Sequence, residues 1–328
     1  MPKILEIIIL SHKTGSETMK KLLTLAVILS ICLLPLTAQV KLYKENSTRP
    51  YKMQNSAESR IVTWLEDAEV EVIPAGQFAV IEGSFKDGAF IKGRDVALHG
   101  YTMCKYEVTQ ELYQLVTGTN PSYFKVDAPN GEDKMKRPVE NVSWYDAVIF
   151  CNQLTCLVMS ESDCVYTISN IKKENGQIRS ADVQIDIKKA GFRLPTEAEW
   201  EFAARGGTRG GWEYEYSGAK RIQDVAFWQP SSGGVTHEVG KKEANVLGMY
   251  DMSGNVSEWC NDWWVDGKIQ KGSADDPIGP AKGDRKIIRG GAYDSVAQKY
   301  CYVPYRGHLM PFYQYNYQGF RICRSVLE

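Results

Sequence analysis

The stretch Asp251-Met-Ser-Gly-Asn-Val-Ser-Glu258 has a carboxylate at each end and six residues between them. Two carboxylates with backbone carbonyls between them are the ligand set a hard cation needs. On its own such a pair reads more readily as a turn with solvated acids. Cysteine offers a second chemistry. The chain has 8 Cys. With Cys32 assigned to a removable leader, Cys104, Cys151, Cys156, Cys164, Cys260, Cys301 and Cys323 remain. An odd count leaves at least one thiol free or linked to another molecule. No Cys-x-x-Cys occurs, and 4 His argue against an all-imidazole metal centre. A third feature is the run Tyr293, Tyr300, Tyr302, Tyr305, Tyr313, Tyr315 and Tyr317, with Asp294, Ser295, Arg306, His308 and Asn316 among them. Rigid amphipathic rings interleaved with adaptable polar groups have the composition of an antibody paratope. Tyr293, Ser295, Tyr305, Arg306, His308 and Tyr315 are the candidate binding residues. The alternative is that several of these rings belong to the core.

Other chemistries find little support. His12, His99, His237 and His308 are scattered, so a Ser-His-Asp arrangement has no anchor. Glu197, Glu199 and Glu201 lie in the first turns of a predicted helix, whose N-terminus favours them without any acid–base role. Gly206-Gly207 and Gly290-Gly291 lack the Lys-Ser/Thr of a phosphate loop. A formal net charge of −1 supplies no drive toward nucleic acid or anionic lipid.

The elements that would position these residues are partly legible. Glu69-Val-Glu-Val-Ile73 alternates and runs into Pro74-Ala-Gly76, a strand into a turn. One helix opens at Thr109, with Leu112, Leu115 and Val116 on one face. A second opens at Ser143, with Asp146 completing a capping box and Trp144, Ala147, Val148, Cys151 and Leu154 facing inward. Cys151 is thus expected as a buried thiol. A third opens at Thr196 with Glu199 and stops at Gly206; Trp200, Ala203 and Ala204 are its expected core side. Residues 170–190 are polar and predict an exposed hairpin or loop turning at Asn175-Gly176. Beyond Gly206 the chain is short segments, glycine and aromatics.

Four segments in the C-terminal half carry a resemblance: Gly191-Phe-Arg-Leu-Pro-Thr-Glu-Ala-Glu-Trp200, Gly248-Met-Tyr-Asp-Met-Ser-Gly-Asn-Val-Ser-Glu-Trp-Cys260, Ile288-Arg-Gly-Gly-Ala-Tyr293 and Gly319-Phe-Arg-Ile-Cys323. Earlier, Val72-Ile-Pro-Ala-Gly76, Lys105-Tyr-Glu-Val-Thr-Gln110, Asn120-Pro-Ser-Tyr-Phe124 and Pro138-Val-Glu-Asn-Val-Ser-Trp-Tyr-Asp-Ala147 agree. In this order they resemble the formylglycine-generating enzyme family, the sulfatase-modifying-factor domain. The resemblance implies an α+β, C-type-lectin-like fold with short strands, about three helices and much irregular structure. It also implies one structural Ca²⁺, held by the side chains of Asp251 and Glu258 and the carbonyls of Gly254 and Val256. The family's second calcium site needs an inserted loop that residues 224–248 lack.

The family's oxidases use two cysteines to bind Cu(I), a soft ion suited to thiolates. Ser295 stands at the first of those positions. Tyr300 falls at the second, with Cys301 one residue beyond. Ala292 replaces a family serine, and Ser257 replaces a tryptophan. The expectation is therefore a non-catalytic binding or scaffold module that uses the former active-site face to hold a peptide, protein or glycan. One alternative is an oxidase built on Cys301, with copper as cofactor, that converts a sulfatase cysteine to formylglycine. Another is a retroelement-diversified ligand-binding protein of lectin fold, since such proteins also end in a Gly-Phe-Arg segment.

The N-terminus predicts export. From Met19, Lys20-Lys21, the apolar run Leu22–Leu34 and Leu36-Thr-Ala38 form a signal peptide over 19–38, after an over-extended start at 1–18. A transmembrane anchor is one alternative, although the apolar run is shorter than a spanning helix needs, and a lipidated Cys32 is another. The mature chain would be periplasmic, secreted or surface-associated, with no transmembrane segment and no nucleic-acid partner. Residues 39–68 read as a linker or loose N-terminal segment, and 69–328 as the domain.

Overall fold

The computed structural model describes residues 56–126, 131–265 and 269–326. The expected leader and residues 39–55 fall outside that set. The remainder of the expected linker is helix α1, Ser56–Ala68. Ile61, Leu65 and Ala68 are buried in the core, with Trp64 packed against it. The spacing i, i+3, i+4, i+7 is an amphipathic stripe, so residues 56–68 are part of the domain and not a linker.

Strand β1 (Glu69–Glu82) pairs antiparallel with β2 (Arg94–Cys104). The register shifts between Ile73 and Phe78, where Pro74 has no N–H to donate and Gly76 takes φ 67°. The expected turn at 74–76 is thus an irregularity inside one long strand, which resumes pairing at Phe78 with His99.

The three expected helices form where their caps lie. Thr109 accepts from the Leu112 N–H to open α2, Gln110–Thr117. Ser143 and Asp146 form a full capping box on α3, Trp144–Val158, whose predicted inward residues are all buried. The hairpin β3 (Tyr166–Glu174) and β4 (Gln177–Ile185) turns at Asn175 and Gly176, both at positive φ, as a tight hairpin requires. After β5, Phe192–Arg193, Thr196 and Glu199 cap α4, Glu197–Ala204. All eight residues of α4 are buried, so the helix has no solvent face. A single turn, α5 (Ile222–Val225), follows.

The remaining strands are short: β6 Ser257–Trp264, β7 Gly272–Asp275, β8 Arg285–Arg289, β9 Gly307–Leu309, β10 Gln318–Gly319 and β11 Cys323–Ser325. One sheet runs β1-β2-β11-β5, with β7 also pairing β2; a second runs β10-β6-β8-β9. One apolar cluster joins α1, α2 and α3 through Trp144, Phe150, Trp259 and Phe320. Another surrounds α4 with Trp200, Phe202, Tyr101 and Met103. The fold is α+β. Among the described residues no helix is long and apolar enough to cross a membrane.

Candidate functional site

Arg289 ends β8 and anchors the loop that follows. Its buried guanidinium donates to Glu197 Oε1 (3.0 Å), Glu201 Oε2 (2.6 Å) and the Val303 carbonyl (2.7 Å). Glu201 also accepts from Arg205 Nε at 2.9 Å, and Glu199 pairs with Arg193 at 2.6 and 2.7 Å. Arg306 grips Glu197 with two bonds, 2.5 and 2.7 Å. Burial would raise the Glu197 carboxyl, but Arg306 and Arg289 outweigh it and hold it below its ordinary range. All three α4 glutamates are thus ion-pair partners of arginines. That is a stronger cause for their presence than the helix N-terminus, and buried acids of this kind need such pairing.

Gly290 and Gly291 follow at φ 90° and 73°. A Cβ on Gly291 would lie 2.8 Å from Cys301 Sγ and 2.6 Å from the Tyr300 carbonyl, so only glycine permits this approach. The loop then returns on itself. The Ala292 N–H donates to Ser295 Oγ at 2.9 Å, and the Ser295 side chain hydrogen-bonds Cys301. Chain geometry therefore brings the Ser295 hydroxyl to the Cys301 thiol, one residue beyond Tyr300, where the sequence spacing places the second family cysteine. Cys301 is fully buried, and burial pushes its thiol up to about 12, against a smaller opposing effect of the Ser295 bond. It is a protonated thiol at neutral pH, not a thiolate. Cys323 belongs to a different apolar cluster, where Arg193 Nη1 donates to its sulfur at 3.0 Å. One buried thiol facing a serine does not fit the soft two-thiolate set that Cu(I) prefers. Ser257 is buried at the start of β6, where its N–H donates to the Tyr317 carbonyl at 2.8 Å.

The 251–258 segment is a tight turn, with Asp251, Gly254 and Asn255 all at positive φ. Glu258 is buried and committed: Arg321 donates to both its oxygens (2.6 and 2.7 Å) and Trp200 Nε1 to one (2.7 Å). Glu107 faces the same turn, accepting from the Val256 N–H (3.0 Å) and Asn255 Nδ2 (2.7 Å). Burial, then Asp251 and Glu258, raise the Glu107 carboxyl well above its ordinary range. Asp251 Oδ2 accepts from the Gly240 N–H at 2.8 Å. Its Oδ1 is buried with no hydrogen-bond partner among the described residues, and burial raises its carboxyl to about 6. Three buried carboxyl groups crowd one guanidinium, Arg321, which hydrogen-bonds only Glu258 among them. The orphaned Asp251 oxygen and this crowding of carboxyl groups fit a hard divalent cation at Asp251. Glu258 fits less well, because its donors already occupy it. Among the described residues, three His, Asp or Glu ligand atoms converge only at His99, Asp275 and Asp276. His99 Nδ1 lies 2.9 Å from Asp276 there, and exposed hydrogen bonds between His99 and Asp276 account for their approach.

The six candidate binding residues make different contacts. Tyr315 stacks on Tyr317 (5.0 Å, 7°) and packs against Tyr313 (5.5 Å). Tyr293 is only 6% exposed and meets Phe124 edge-on at 5.1 Å, with Tyr123 beyond it. It is a supporting ring and not an exposed anchor, because the Ser232 hydroxyl and Asn255 carbonyl bind its backbone from behind. Arg306 is spent on Glu197 and lies over Trp264 at 4.7 Å. His308 packs on the same tryptophan at 4.5 Å, and Tyr305 packs on Tyr300 at 5.1 Å. Sequence reasoning missed Glu107, Arg321, Tyr123 and Phe124 as site residues. All four lie inside or beside the segments that carry the family resemblance, which was the available signal.

The chain matches the family model described as "Sulfatase-modifying factor enzyme 1-like domain" over residues 57–326. It is 36% identical over 218 residues to "Chaperone protein LppX" of Paenibacillus barcinonensis, covering 60% of this chain and 71% of that protein. It is 37% identical over 126 residues to the formylglycine-generating enzyme of Streptomyces coelicolor, covering 34% of this chain and 40% of that enzyme. Among solved structures it resembles "Treponema denticola variable protein 1", with TM-score 0.66 and 35% identity over 79% of this chain and 94% of that one.

Proposed function

The chain belongs to the sulfatase-modifying factor enzyme 1-like domain family, and on that premise we propose that it is a non-catalytic member that binds a peptide, protein or glycan through its tyrosine-rich face. The observation that carries this reading is the Ser295–Cys301 pair. Where the family's oxidase chemistry would need two thiolates, a hydroxyl meets one buried, protonated thiol. Binding is supported by the ring ladder Tyr313, Tyr315 and Tyr317. Tyr313 in it is exposed, and such rings give large contact area at low entropic cost. A relative named as a chaperone protein agrees with a role in holding another chain. A structural neighbour named as a variable protein keeps retroelement diversification of this face as a second reading.

Tyr315→Ala and Tyr293→Ala separate contact from support. Tyr315→Ala should leave the fold intact, costing about 1 kcal/mol from the lost ring pair, and should weaken ligand capture on a glycan or peptide array. Tyr293→Ala should cost about 3–5 kcal/mol in denaturant unfolding, as buried aromatic truncations do. Formation of aldehyde from a sulfatase-type cysteine peptide with Cu(I) and oxygen, abolished by Cys301→Ser, would overturn the reading.

We further propose one Ca²⁺ on Asp251 and its turn. The buried orphan oxygen of Asp251 and the crowding of carboxyl groups around it support this.

A further inference from the structure

Cys156 and Cys164 flank the C-terminal end of α3, and their sulfurs lie 3.4 Å apart. The other described cysteines, Cys104, Cys151, Cys260, Cys301 and Cys323, are buried, whereas Cys156 is exposed and Cys164 half-buried. We propose that Cys156 and Cys164 form a disulfide that staples the end of α3 to the base of the β3–β4 hairpin. The inference does not depend on the binding reading.

The backbone on both sides is already held for this bond. After α3 the chain makes a single 3₁₀ turn, Glu161–Asp163, closed by a capping box between Ser160 and Asp163. The Cys164 N–H donates to the Glu161 carbonyl at 3.1 Å. Asn152 of α3 then clamps the start of the hairpin: its Nδ2 donates to the Tyr166 carbonyl (2.7 Å) and its Oδ1 accepts from the Tyr166 N–H (3.3 Å). Behind the turn, the Gly191 N–H donates to the Asp163 carbonyl at 3.1 Å. A Cβ there would come within 2.2 Å of that oxygen, so the turn is packed against its neighbour. These backbone and Asn152 hydrogen bonds bring the two sulfurs together, and the Cys164 thiol itself donates to the Asn152 carbonyl at 3.6 Å, a bond that oxidation would give up. Closing 3.4 Å to a bond of about 2.05 Å is within reach of small side-chain rotations.

The reaction needs an oxidant, which a small-molecule disulfide such as oxidised glutathione supplies. The exposed Cys156 sulfur, as thiolate, attacks one sulfur of that disulfide and releases one thiolate. The Cys164 sulfur then attacks the mixed disulfide at Cys156 and releases the second. Two protein thiols are oxidised to one disulfide, the reagent disulfide is reduced to two thiols, and the two protons end on those products. An oxidising compartment would keep the bond closed.

The test uses the folded chain equilibrated with oxidised or reduced glutathione, quenched in acid, alkylated and digested after glutamate without reduction. Cleavage after Glu161 separates the two cysteines. The oxidised sample should yield the two flanking fragments as one linked species, about 2 Da lighter than their sum, and the reduced sample should yield them apart. Reduction should also lower the Tm by about 5 °C. Cys156→Ser, at an exposed position, should abolish the link and make Tm insensitive to reductant. Separate glutathione adducts on both residues would overturn the proposal, as would a Cys156-linked dimer. So would a fragment link that persists in Cys156→Ser, which would place the bond on Cys151.

Discussion

A single atom decides what the Ser295–Cys301 pair can do. The hydroxyl already hydrogen-bonds the thiol, so Ser295→Cys would place a second sulfur where the loop holds the oxygen. Two soft donors favour Cu(I) where one does not. Ser295→Cys should therefore bind Cu(I) at least about tenfold more tightly than the parent chain, read by competition with a Cu(I) chromophore. No gain would mean that the loop does not align the two positions. Glu140 makes a second argument at this scale. It is buried; one oxygen accepts from the Phe124 N–H at 2.9 Å, and the other has no partner among the described residues. Burial raises its carboxyl to about 7, with the Tyr123 and Phe124 N–H groups offsetting only part. In the unfolded chain a glutamate titrates near 4.5. The stability linked to its proton is fully present below about 4.5 and is lost as pH rises through about 7. Glu140→Gln should remove up to about 3 kcal/mol of that loss, giving a variant whose unfolding midpoint changes less than the parent's between pH 5 and pH 8. Equal slopes for parent and variant would place the titration elsewhere.

At the scale of elements, local signals were legible and distant ones were not. Thr109, Ser143 and Thr196 marked three helix starts because a cap is written within four residues of sequence. Asn175-Gly176 marked a hairpin for the same reason. The bulge in β1 was misread as a turn, because Pro74 and Gly76 look alike in both until the partner strand is known. Helix α1 was missed although its stripe is regular, since nothing in Ser56–Ala68 says what the stripe packs against. Its partners are α2 and α3, some fifty and ninety residues on. The Lys105 N–H also donates to the Ala68 carbonyl at 2.7 Å, tying the helix end to the chain after β2. Ile61 is 1% exposed, so Ile61→Ala should cost about 2–5 kcal/mol in a denaturant titration with unchanged slope. A loss below about 0.5 kcal/mol, as at ordinary surface positions, would restore the reading of this segment as a loose linker.

Across the whole molecule, the turn around Asp251 is assembled from pieces that sequence separates widely. Glu107 reaches Asn255, and Arg321 reaches Glu258, so the crowding of carboxyl groups around Asp251 appears only once the chain is folded. The resemblance located Asp251 and Glu258 but not the guanidinium that already neutralises one of them. That changes which variant tests the cation. Glu258→Gln would break a buried ion pair with Arg321 and destabilise the fold whether or not a metal binds, because an uncompensated guanidinium would be left inside. Asp251→Gly is the cleaner change: the residue sits at φ 56°, which glycine tolerates, and the orphaned oxygen is removed. Ca²⁺ that binds only the native chain stabilises it by about 2.7 kcal/mol at a hundredfold excess over its Kd. The parent's Tm should fall on adding a chelator and recover with excess Ca²⁺, whereas Asp251→Gly should melt at one temperature in both conditions. A parent whose melting ignores chelator would show that the turn carries its crowded carboxyl groups as protonated acid, with no need of a metal.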